Sequence, residues 1–62
     1  MNITSNMSLP DLQARMGDYA TYDEAHVMRG LLLRLNYAAT EDIPESDWLE
    51  LCEQAAEASG SY

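Results

Sequence analysis

Cys52 is the only cysteine and His26 the only histidine, so no internal disulfide can form and no cysteine or histidine pair has zinc-ligand spacing. That matters because the chain has 62 residues. A domain of this size buries only about 60% of the surface its unfolded form exposes, and hydrophobic gain and chain entropy come out nearly equal. Without a covalent or metal staple, a fold must come from well-packed helices, from self-association or from a partner. A lone cysteine also fits a reducing compartment.

The hydrophobic pattern is helical throughout. Ser8-Leu9-Pro10-Asp11 reads as a helix start, with Ser8 as cap, Pro10 in the first turn and Asp11 at the capping-box position. The spacing predicts a short helix over roughly 9–16, closed by Gly17 and Asp18. Leu9, Leu12, Met16 and Tyr19 fall on one side of it. Thr21 and Glu24 form a better capping box for a helix over roughly 22–36, stopped at Asn36. Ala25, Met28, Leu31, Leu32 and Leu35 make its broad apolar stripe, and Tyr22, Leu33 and Tyr37 a second patch on another side. Gly30 costs this helix roughly 1 kcal/mol relative to alanine, so it either admits a close backbone or is simply tolerated. Pro44 opens a third helix over roughly 44–58, with Trp48, Leu51, Cys52 and Ala55 facing inward. No segment shows strand alternation. The expectation is an all-α, single three-helix domain over 1–62. Its second helix is the hub, Trp48 packs against Met28, Leu32 and Leu35, and residues 1–7 form a disordered tail.

Charge narrows the class of partner. Eleven acidic residues face three basic ones, all arginine, for a net charge of −8. Affinity for DNA or RNA comes from neutralising phosphates with Lys and Arg, and anionic lipid attracts the same residues; both are disfavoured. Basic protein surfaces are the natural complement. No basic segment and apolar stretch follow Met1 as in a signal peptide, and no apolar run is longer than Leu31-Leu32-Leu33. A cytoplasmic protein is expected, and the triplets Asn2-Ile3-Thr4 and Asn6-Met7-Ser8 are read as chance matches to the glycosylation signal.

The negative charge is concentrated near the C-terminus. Glu41, Asp42, Glu45, Asp47, Glu50, Glu53 and Glu57 follow one another without a basic residue between them. From Glu45 to Glu57 the third helix rises about 18 Å, so its five carboxylates average one per about 3.6 Å, against one per about 3.4 Å along a DNA strand. A solvated helix face is the plain explanation. Against it, no lysine ladder balances the charges, and Glu50, Glu53 and Glu57 lie as repelling neighbours. Glu45 and Asp47 suit the positive end of the helix dipole in any case.

Other residues invite weaker readings. Arg29 and Arg34 have no acidic residue three or four positions away, so either they pair across helices with Asp11, Asp18 or a third-helix carboxylate, which is the favoured expectation, or they contact a partner. Tyr19 and Tyr37 are expected in or near the core, Tyr22 on either side of the boundary, and Tyr62 on a mobile terminus. Cys52 and His26 do not make a nucleophile and base, because Cys52 is expected among core side chains. There is no calcium loop and no phosphate-binding glycine cluster. No catalytic, cofactor or metal site is expected, and the chain is not expected to be an enzyme.

In size and composition the chain resembles the small anti-restriction and anti-CRISPR inhibitors encoded by phages and other mobile elements. That resemblance implies an acidic protein that occludes a basic, nucleic-acid-binding surface of a partner protein. Glu50, Glu53 and Glu57 would dock there, with Glu41, Asp42, Glu45 and Asp47 steering the approach. The alternative is a helical homo-oligomer, such as a homodimer, or an adaptor that binds through Tyr22, Leu33 and Tyr37.

Overall fold

The computed structural model describes residues 1–60; Tyr62, expected to be mobile, lies outside the described residues. Its three helices are α1 (Leu9–Met16), α2 (Tyr22–Leu35) and α3 (Glu45–Ser59), with one 3-10 turn at Thr40–Asp42. The chain is all-α, and α2 is central, packing against both α1 and α3.

Local chemistry sets the boundaries. The Ser8 hydroxyl accepts the Asp11 N–H at 3.4 Å and the Thr21 hydroxyl accepts the Glu24 N–H at 3.1 Å, each satisfying a donor with no partner inside its helix. Ile43, held extended (φ −89°, ψ 124°) by the proline that follows it, leads into α3. Two of the stops are left-handed, at Asn36 (φ 60°) and Gly60 (φ 77°).

The core consists of Met7, Leu9, Leu12, Ala25, Met28, Leu32, Ile43, Leu51 and Ala55. Leu12, Met28 and Leu32 are its largest fully buried side chains. From α3 the deepest residues are Leu51 and Ala55. Trp48 is half-buried and packs on the core from the edge, beside Arg15, Thr40, Ile43 and Glu45. Leu35, expected beneath Trp48, is 49% exposed. It is the last residue of α2, and the left-handed turn at Asn36 leads the chain away before α3 can cover it. Tyr19 is 98% exposed instead of lining the core, because α1 ends at Met16 and helical spacing no longer applies in the turn beyond it.

Residues 1–7 are not a disordered tail. Ile3 donates its N–H to the Ala38 carbonyl at 3.1 Å, and the Thr40 N–H returns to the Met1 carbonyl at 2.9 Å, around an antiparallel bridge between Asn2 and Ala39. Met7 is buried, and Met1 and Ile3 pack against the core. Met7 and Leu12 occupy the two positions of a hydrophobic staple around the Ser8 cap, and both lie in the same buried cluster. The N-terminal segment thus closes the side of the core that three short helices leave open.

Candidate partner-binding surface

Five of the seven carboxylates between Glu41 and Glu57 lie on or around one exposed surface, and the helix geometry separates them. At about 100° per residue, Glu50, Glu53 and Glu57 fall within an arc of about 60°, opposite the buried side marked by Leu51 and Ala55. All three are exposed. They form a ridge about 10 Å long at 1.5 Å per residue. Asp47 leaves the ridge on the side of α2. Glu45 leaves it on the other side, next to Trp48 and Arg15. A surface facing α3 meets three charges directly and one at each flank.

Glu41 has a different environment. Its Oε2 accepts from the Met1 ammonium at 2.6 Å, and its Oε1 pairs with Arg15 at 2.9 Å and accepts from the Thr40 hydroxyl at 3.0 Å. The ammonium, and after it the Thr40 hydroxyl, hold the carboxyl down from its ordinary 4.5 to about 2. This charge already has internal partners, which sets it apart from the ridge. Asp42, beside it in the 3-10 turn, is exposed.

Among the described residues, the ion pairs are those of Glu41 with the Met1 ammonium and Arg15. The carboxylates of α3 therefore make no ion pair there, although Glu45 lies near Arg15. Arg29 and Arg34 do not supply one, contrary to the pairing expected of them. The Arg29 guanidinium instead donates to the Met7 carbonyl at 3.5 Å and lies 3.3 Å from His26 Nδ1, so it ties the N-terminal segment to α2. Arg34 is exposed.

The apolar patch expected on α2 is divided. Tyr22 is 59% and Leu33 38% exposed, but the rise of the helix separates them by about 16 Å, with His26 and Arg29 on the strip between. Tyr37 is half-buried and belongs elsewhere. With Leu35 it forms one wall of an open groove of about 190 Å³ whose other wall and floor are Asp47, Glu50, Leu51 and Gln54 of α3. Sequence reasoning missed this groove because it placed Leu35 in the core; the signal available was the helix stop at Asn36, one residue later.

A second depression, about 350 Å³, is lined by Met16, Gly17, Asp18, Tyr19, Ala20, Glu24, Cys52 and Ala56. Burial, with the Glu24 charge adding to it, pushes the Cys52 thiol up, which keeps it in the unreactive protonated form at neutral pH. Among the described residues, no three His, Cys, Asp or Glu side chains converge to hold a metal ion, and no helix is long and apolar enough to cross a membrane. No protein-family model matches the chain, and no curated protein matches it at a significant level.

Proposed function

We propose that this protein acts in the cytoplasm by binding, with no catalytic step of its own. Its target is a basic surface of another protein, of the kind that holds nucleic acid, which it covers with the acidic face of α3. The observation that carries this reading is the ridge of Glu50, Glu53 and Glu57: exposed, on one face, and without a cation of the described residues to balance it. Like charges at these spacings cost a helix stability, and a lysine on the same face would remove the cost. A cationic partner offsets that repulsion on binding and is drawn in by the same field. The mode is the one found in phage-type anti-restriction and anti-CRISPR inhibitors, where an acidic protein occupies the place of a nucleic acid.

The alternative, a homodimer or adaptor using α2, draws on the exposure of Tyr22 and Leu33. Both readings meet in one pull-down from nuclease-treated native lysate. Three baits are compared: the natural chain, Glu50→Lys with Glu53→Lys and Glu57→Lys, and Leu33→Asp. The acidic-face reading expects basic proteins on the first and third baits at low salt, their loss at high salt, and nothing specific on the second. Equal recovery on the first two baits, insensitive to salt, overturns it; loss on Leu33→Asp alone favours the alternative.

A further inference from the structure

The groove between the end of α2 and α3 combines two features that the ridge alone does not. Apolar and aromatic residues, Leu51, Leu35 and Tyr37, line it together with the acidic Asp47 and Glu50 and the amide-bearing Gln54. No cation lines it. Asp47 and Glu50 are three residues apart on α3, which puts their Cβ atoms about 5–6 Å from one another. The geometry points to a receptor for a single arginine side chain of the basic partner. The arginine's aliphatic stem lies on Leu35 and Leu51, and its guanidinium stands between the two carboxylates and against Tyr37. This assignment rests on the acidic-face reading and adds to it the place where recognition becomes specific.

Arginine fits these walls better than lysine. Its planar, weakly hydrated head stacks on an aromatic face and donates to two acceptors at once, whereas an ammonium is a strongly hydrated point charge. Both have stems that lie well on apolar surface, so the head group decides. An exposed row of carboxylates attracts any cation through a field that salt screens. An apolar slot with a charged wall selects by shape as well. Arginine is also among the residues that most often dominate interface energetics.

The test is a titration of the full-length, 15N-labelled protein with butylguanidinium, guanidinium and butylammonium, followed by amide chemical shifts. Butylguanidinium is expected to shift Leu35, Tyr37, Asp47, Glu50, Leu51 and Gln54 saturably, at least threefold more tightly than either of the others. Asp47→Asn, at an exposed position that leaves the core intact, is expected to weaken it about threefold, the range of one exposed ion pair. Equal binding of butylammonium overturns the assignment to arginine. Shifts spread as strongly over Glu53 and Glu57 overturn the groove itself. The lysate pull-down separates this failure from failure of the broader reading. If Asp47→Asn with Leu35→Ser keeps the partner while Glu53→Gln with Glu57→Gln loses it, the groove falls and the ridge stands. If neither pair loses it, both fall.

Discussion

Glu41 and Glu53 are both exposed carboxylates in the same acidic stretch, yet their surroundings differ. Glu41 joins the N-terminal ammonium, Arg15 and Thr40. Its carboxyl, held at about 2 against an ordinary 4.5, stabilises the fold fully above pH 4.5, and that contribution is lost as pH falls toward 2. Thermal unfolding followed between pH 7 and pH 2.5 should therefore show the natural chain and Glu41→Gln converging below pH 4.5; a gap that stays constant across the window contradicts the assignment. Core residues answer to packing instead. Leu12 is fully buried, and Leu12→Ala should cost about 2–5 kcal/mol, enough to unfold much of a population this small, as seen in a denaturant titration. Residue by residue, periodicity located Leu9, Leu12, Ala25, Met28, Leu32, Leu51 and Ala55 correctly. It failed at Tyr19 and Leu35, where a helix had just ended or was ending, because a 100° step has no meaning once the backbone leaves the helix.

The helix starts were legible because a cap is local: Ser8 and Thr21 each satisfy a backbone donor three residues away. The N-terminal segment was not legible, because its order comes from pairing with residues 38–40, and nothing within seven residues reports a partner that distant. The one local hint was Met7 at the staple position before Ser8. Met7→Ala should cost about 2 kcal/mol and speed amide exchange at Ile3 and Thr40. Unchanged protection at both would mean that the segment is held without the core. Gly30 settles in the opposite direction from a functional reading. A Cβ built there meets nothing within 4 Å, so no neighbouring backbone needs the space. Gly30→Ala should raise stability by about 1 kcal/mol, or about 4–8 °C in melting temperature for a domain of this size. A fall would reveal a contact that the fold does not show.

At the scale of the molecule, 60 described residues form a body of 29 × 23 × 20 Å with a radius of gyration of 10.3 Å, close to the roughly 10.5 Å of a compact chain of this length. On it sits a net charge of −8. Of the three arginines, Arg15 serves Glu41 and Arg29 serves Met7, so the basic residues mainly secure the N-terminal side and leave α3 uncompensated. The acidic character of residues 41–57 could be read directly from the sequence, whereas the sorting of these charges into an internal anchor, a ridge and a groove wall required the fold. Self-repulsion of this kind opposes compactness and is screened by salt. Removing part of it from the ridge should leave the protein at least as stable while depriving it of its partner. The most direct measurement is recovery of basic proteins by Glu50→Gln with Glu53→Gln and Glu57→Gln, set against the natural chain in the same lysate at low salt. A folded variant whose recovery drops at least tenfold is the predicted result. Recovery at the level of the natural chain would contradict the claim that α3 is the surface other molecules bind.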